Sequence, residues 1–92
     1  MVHCDTPSGV LNDIEKICRL LDSHGILSVV DSVSSMFAEA IDVEAGRIDI
    51  ICGGSQKALS APVGITLLCV SERAFRAMEE RKSPARAFYC NL

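Results

Sequence analysis

The fold is decided by two apolar segments that each run into a polar loop: ILSVVDSVSS at residues 26–35 and IDIICGGSQK at residues 48–57. Each apolar part is too short for a helix and is typical of a strand that is buried on both faces, as in parallel sheets. We therefore predict strands over residues 26–30 and 48–52. Ligands bind at the carboxyl ends of strands in open α/β sheets, so the polar residues that follow are candidate site residues.

A helix is predicted before the first of these strands. Its apolar residues lie at positions i, i+3, i+4 and i+7: Ile14, Ile17, Cys18 and Leu21. Asn12 is the expected N-cap, the helix is expected to run to about residue 24, and Gly25 is expected to end it. A salt bridge between Glu15 and Arg19 is expected on its polar side.

The second half of the chain repeats this alternation. A third strand is predicted over residues 64–70, followed by a helix from about 72 to 82 with Ser71 as N-cap. A further strand is expected to begin at 87–90. Alternating strands and helices predict an α/β fold with a mainly parallel sheet.

Length and charge exclude several classes of protein. The chain has 92 residues, 9 Lys and Arg against 12 Asp and Glu, and a net charge of −3, so it makes one small domain at most. This mild acidity, without a basic run, argues against nucleic acid or an anionic membrane as partner. The apolar runs are far shorter than the roughly 20 residues that span a bilayer. No signal peptide is visible, and we expect an intracellular protein.

The apolar content is high for such a small chain. Mean hydropathy is +0.30 and 49% of the residues are hydrophobic, whereas a chain of this size buries only about 60–65% of its unfolded surface. We therefore expect a piece of something larger, or an obligate oligomer. The five cysteines include no Cys-x-x-Cys pair, so no metal site is predicted.

Two polar groups follow the predicted strands. Asp31 comes directly after the first strand, and Ser55-Gln56-Lys57 follows the second after a Gly-Gly turn. Since both strands are apolar, we expect the carboxylate and the amine to project into one dry crevice. Taken alone, an Asp in the position of Asp31 is more often a turn residue or helix cap, and a Lys in the position of Lys57 is more often a solvated loop residue. Spacing by itself leaves these alternatives open.

The sequences of three segments resemble those of the pyridoxal-phosphate enzymes of fold type I. The segments are HCDTPSGVL at 3–11, VVDSVSS at 29–35 and GSQKALSAPVG at 54–64. More narrowly they resemble class V aminotransferases of the alanine–glyoxylate and serine–pyruvate branch. The resemblance covers essentially the whole chain and implies a partial three-layer sandwich, with residues 1–92 a segment of the cofactor-binding large domain and no complete second domain.

The resemblance also implies roles for four residues. Lys57 stands at the position of the Schiff-base lysine, and Asp31 at that of the carboxylate that pairs with the pyridine nitrogen. Gln56 matches a residue near the cofactor phosphate, and Thr6 a hydroxyl residue that contacts the cofactor. His3 is interpretable either as a residue near the ring or as a polar residue at a strand end.

The function implied by the resemblance is transamination. The full-length parent would transfer an amino group from alanine or serine to glyoxylate or pyruvate through a lysine Schiff base on pyridoxal 5′-phosphate, and would form a homodimer. We expect the isolated chain to be inactive. One alternative is a non-catalytic α/β binding or interaction module. Another is a different class V lyase, although cysteine desulfuration is disfavoured because Gln56, rather than His, precedes Lys57.

Overall fold

A computed structural model describes residues 1–83, and these residues form the predicted α/β arrangement. In chain order the elements are β1 (Cys4–Asp5), β2 (Val10–Leu11), α1 (Ile14–Ser23), β3 (Val29–Asp31), β4 (Ile50–Gly54), β5 (Thr66–Val70) and α2 (Glu72–Glu79). The strands β1 and β2 pair antiparallel in a small hairpin. The strand expected over residues 87–90 lies outside the described residues.

The main sheet has the order β3-β4-β5 and is mixed rather than mainly parallel. The strands β3 and β4 pair in parallel, and Val2 adds a parallel bridge to Asp31 at the end of β3. The strand β5 pairs antiparallel with β4. A parallel crossover needs a connection of about a dozen residues or more, usually a helix. Residues 55–65 contain no helix and are fewer than a dozen, so the chain turns back and β5 runs antiparallel to β4.

The core lies between α1 and one face of the sheet. Ile14 and Cys18 of α1 pack against Val30, Ile48 and Ile51, all of them buried. Met36, Ile41 and Val43 complete this cluster. Of the four residues that show the helical period in the sequence, Ile14 and Cys18 are buried in this core, whereas Ile17 is 40% exposed.

The opposite face of the sheet is exposed. Val29 is 55% exposed and Ile26 is 52% exposed, so the expectation of a strand buried on both faces over residues 26–30 is wrong in this chain. The reason is that α1 covers only the side of the sheet that carries Val30 and Ile51. The strand itself also begins three residues later than expected, at Val29.

Helix ends follow local hydrogen bonding. The N-cap of α1 is Asp13, not Asn12: the Asp13 carboxylate accepts the Lys16 N–H, while the Asn12 side chain donates to the Val2 carbonyl. Gly25 has φ +70, and the amides of Gly25 and Ile26 donate to the carbonyls of Asp22 and Leu21. That pair of bonds is a Schellman ending.

The helix α2 is capped as expected but is shorter. The Ser71 hydroxyl accepts the Ala74 N–H at 3.1 Å, and the helix ends at Glu79 instead of near residue 82. The expected i, i+4 pair of Glu15 with Arg19 is present in α1, and Glu72 pairs with Arg76 in α2. No helix in the described part of the chain is long and apolar enough to cross a membrane.

Candidate functional site

Asp31 and the Lys57 loop lie at one edge of the sheet. Asp31 is the last residue of β3 and stands opposite Cys52 in the parallel pair. The strand β4 continues to Gly54, and Lys57 follows in the next loop. Because the two strands run in the same direction, their carboxyl ends meet at the same edge. The topology therefore places both residues that the sequence singles out at the same edge of the sheet.

The main chain of Asp31 is held by two hydrogen bonds to the N-terminal segment. Its N–H donates to the Met1 carbonyl and its carbonyl accepts the His3 N–H, both at 2.8 Å. The carboxylate Oδ1 accepts the Val33 N–H at 2.9 Å. The residue is nevertheless exposed, so a fixed backbone presents a carboxylate to solvent.

The loop that carries Lys57 is closed by a buried serine. Ser55 is fully buried, its hydroxyl donates to the Pro62 carbonyl at 2.6 Å, and its carbonyl accepts the Ala61 N–H at 2.9 Å. The Ser60 amide donates to the Lys57 carbonyl. These bonds fold residues 55–62 into a closed turn whose tip exposes Lys57.

The other two predicted site residues also lie near this edge. The Thr6 hydroxyl shares a 2.8 Å hydrogen bond with the Ser34 hydroxyl, which joins the β1–β2 turn to the loop after β3. The Gln56 side chain folds back on Gly54, where an added Cβ would lie 2.7 Å from its Oε1. All four predicted residues are exposed, so the expected dry crevice is not formed by the described residues.

A buried chain of polar side chains lies behind Asp31. His3 Nδ1 is 2.8 Å from the Ser35 hydroxyl, and that hydroxyl is 2.9 Å from the hydroxyl of Ser32. All three residues are at most 5% exposed. Of the two interpretations of His3, the buried polar residue near a strand end agrees with this geometry. No local sequence pattern reveals a contact between positions so far apart.

A second polar cluster, centred on Asp49, lies at the opposite end of β4. Arg73 donates to both carboxylate oxygens of Asp49, at 2.9 and 2.5 Å. The Ser28 N–H and the Ser71 hydroxyl also donate to this carboxylate. Burial raises the pKa of Asp49, but the bonds from Arg73, Ser28 and Ser71 outweigh it and lower that pKa to about 2.

Arg73 makes further interactions within this cluster. Besides Asp49 it pairs with Asp22 of α1 at 2.9 Å, and its pKa is raised, chiefly by the bond to Asp49. The cluster ties α2 to β4 and α1 at the edge away from Lys57. Among residues 1–83 no group of three or more His, Cys, Asp or Glu could hold a metal ion.

Comparison with known proteins agrees with the sequence motifs. A family model described as aminotransferase class-V matches residues 1–87. The chain is 41% identical over 85 residues to a pyridoxamine–pyruvate transaminase of Mesorhizobium japonicum, covering 92% of the chain and 22% of that protein. It is also 41% identical over 85 residues to a serine–glyoxylate aminotransferase of Arabidopsis thaliana, covering 90% of the chain and 21% of that protein.

Solved structures show the same relationship. The crystal structure of an alanine–glyoxylate aminotransferase from Nostoc sp. superimposes with a TM-score of 0.89 at 28% identity, over 96% of this chain and 23% of that one. Such neighbours are aminotransferases of fold type I, which confirms the predicted fold class. The chain spans less than a quarter of the length of these relatives.

Proposed function

The chain belongs to the class-V aminotransferase family, and from this premise we propose that it forms the lysine-bearing part of a transaminase's pyridoxal-phosphate site. The observation that carries the proposal is the shared edge: Asp31 ends β3, and Lys57 follows the neighbouring parallel strand β4. The parent would transfer an amino group from a small amino acid, alanine or serine, to glyoxylate or pyruvate, and would act as a homodimer.

The chemistry of the groups at this edge fits pyridoxal phosphate. The cofactor has an aldehyde, a ring nitrogen that binds a proton, and a phosphate. The edge offers an exposed amine from Lys57, an exposed carboxylate from Asp31, and neutral hydrogen-bonding groups from Thr6 and Gln56. Each feature of the cofactor thus has a complementary group in the chain.

When bound, pyridoxal phosphate supplies an electron-accepting ring. Asp31 would hold a proton at the ring nitrogen, because a carboxylate favours the charged form of a neighbouring base. Lys57 would hold the cofactor through its amine and, when released from it by the amino acid, would take a proton from the substrate Cα as general base. Gln56 would orient the phosphate end by hydrogen bonds, and the Thr6 hydroxyl would contact the cofactor.

The substrate classes rest on the relatives. The Arabidopsis protein is named a serine–glyoxylate aminotransferase and the Nostoc structure an alanine–glyoxylate aminotransferase. Both names pair a small amino acid with a short 2-oxo acid. The Mesorhizobium relative is named for pyridoxamine and pyruvate, and we therefore keep pyruvate beside glyoxylate as an acceptor.

Reduction of the chain in the presence of pyridoxal phosphate tests this proposal. Borohydride should fix the cofactor onto the wild-type chain, and Lys57→Ala should remove most of that product. Lys16→Ala is the matched control, since Lys16 is an exposed lysine on α1, and it should leave the product unchanged. Equal labelling of wild type and Lys57→Ala would show that Lys57 is not the cofactor lysine.

A further inference from the structure

The link His3–Ser35–Ser32, defined by the two buried side-chain hydrogen bonds between these residues, spans two segments that flank Asp31. His3 belongs to the N-terminal segment that runs beside β3, and Ser32 and Ser35 belong to the loop after β3. The Nδ1–hydroxyl bond of 2.8 Å and the hydroxyl–hydroxyl bond of 2.9 Å join them.

The burial of this link indicates that it constrains its surroundings. His3 is 5%, Ser35 1% and Ser32 0% exposed. Polar groups removed from water are costly unless they are hydrogen-bonded, so each member depends on the next for its partner. Losing the imidazole would leave the Ser35 hydroxyl without one of its two partners in a site that water does not reach.

The same residues contact Asp31 through the main chain. The His3 N–H donates to the Asp31 carbonyl, and the Ser32 N–H donates to the Cys52 carbonyl, which extends the β3–β4 ladder by one residue. The next amide, that of Val33, donates to the Asp31 carboxylate. The position of the carboxylate therefore depends on the loop conformation that the link maintains.

We infer that His3 is a positioning residue for Asp31, acting through the buried link His3–Ser35–Ser32. This inference rests on the proposed role of Asp31 at the cofactor ring nitrogen. In this role the His3 side chain acts on the loop and not on the cofactor. Its side chain fixes the loop from which the Asp31 carboxylate receives the Val33 N–H.

Three variants at His3 separate the effect of its Nδ1 atom from that of its size. His3→Asn keeps a hydrogen-bonding atom where Nδ1 stands, His3→Gln moves it outward, and His3→Ala removes it. His24→Ala is the control, because His24 is exposed at the end of α1. If His3 acts through Nδ1, His3→Asn should match wild type in amide exchange and in ligand binding, whereas His3→Gln and His3→Ala should not.

The first measurement is amide hydrogen exchange without cofactor. His3→Ala should speed exchange of the Val33 amide by about tenfold, the effect of losing one buried hydrogen bond of ordinary strength. The Ile51 amide in β4 should change much less. Equal acceleration of both amides would show that His3 contributes only to overall stability, which contradicts a positioning role. An unchanged exchange rate of the Val33 amide would also overturn the inference.

The second measurement compares pyridoxal phosphate with its analogue that has carbon in place of the ring nitrogen. His3→Ala should weaken binding of pyridoxal phosphate about fivefold, the scale of one hydrogen bond, and should leave the analogue unaffected. In an Asp31→Asn background the His3→Ala effect should vanish. Equal weakening of both ligands would contradict positioning through Asp31.

The two measurements fail in different ways. If the wild-type chain gives no Lys57 product with pyridoxal phosphate, the proposed function is wrong, while amide exchange still decides whether His3 positions Asp31. If the product forms but neither Val33 exchange nor ligand preference responds to His3→Ala, the proposed function stands and the positioning role is wrong.

Discussion

The charged residues at the two ends of the strand β4 differ in their burial. Asp49, just before the strand, is 4% exposed and bonded to Arg73, whereas Lys57, after the strand, is exposed. A buried carboxylate needs partners that stay in place, so Asp49 stabilises the fold. An exposed amine remains accessible to a ligand, which agrees with the proposed role of Lys57.

Asp49 should make stability depend on pH in the acid range. Its pKa is lowered from the ordinary 3.8 to about 2 in the folded chain, so the folded state is stabilised whenever the carboxylate is ionised. This contribution is complete above about pH 4 and is lost as the pH falls towards 2. A shift of this size corresponds to about 2 kcal/mol of unfolding free energy.

Denaturant titrations at several pH values measure this contribution. Asp49→Asn should lose about 2 kcal/mol at pH 7 and should show a weaker loss of stability between pH 4 and 2 than wild type. Asp22→Asn, which removes the more exposed partner of Arg73, should cost less than 1 kcal/mol, in the usual range of about 0–1. Identical acid profiles for wild type and Asp49→Asn would contradict this assignment.

Among the elements, those with a local pattern could be predicted and those with a non-local cause could not. The helical period identified α1, but Asn12 and Asp13 are both good caps, and only the position of Val2, which accepts from Asn12, decides between them. The direction of β5 depends on how residues 55–65 turn back. That turn is closed by Ser55 and Pro62, a contact that hydropathy does not report.

The candidate site divides in the same way. The positions of Asp31 and Lys57 after strand ends could be predicted from the sequence, whereas the roles proposed for them came from the family resemblance. Thr6 was identified only through the family resemblance, since its bond to Ser34 joins residues 28 positions apart. The link from His3 to Ser35 spans 32 positions and could not be predicted from local patterns for the same reason.

The closed turn after β4 should depend on the Ser55 hydroxyl. Ser55→Ala removes the bond to the Pro62 carbonyl at a fully buried position, and we expect a loss of about 1 kcal/mol in urea unfolding. The amide of Ala61 should also exchange faster. Ser60→Ala is the matched control at an exposed position of the same loop, and it should change stability little. Equal effects of the two substitutions would show that Ser55 does not close the turn.

At the scale of the whole fold, residues 1–83 leave one apolar face of the sheet open. Val29 is 55% and Leu68 42% exposed, and the strand register places them on the same face, opposite α1. The high mean hydropathy of +0.30 therefore reflects apolar surface that the described residues leave uncovered. Open apolar faces of this kind are typical of interaction surfaces.

The isolated chain should therefore self-associate through this face. We expect light scattering to give an apparent mass that rises with protein concentration. Val29→Lys or Leu68→Lys should reduce the association, because a charge makes burial of this face costly. Ser23→Lys, at an exposed position of α1, adds the same charge elsewhere and should not. A wild-type chain that stays monomeric at all concentrations would contradict this expectation.

The cofactor site itself is tested most directly by locating the label after borohydride reduction. The wild-type chain is treated with borohydride in the presence of pyridoxal phosphate and is then digested. The modified peptides are assigned to the three lysines of the chain, Lys16, Lys57 and Lys82. We predict that the label lies predominantly on Lys57 and falls when Asp31 is changed to Asn. Label spread evenly over the three lysines, or unaffected by Asp31→Asn, would contradict a cofactor site at the carboxyl ends of β3 and β4.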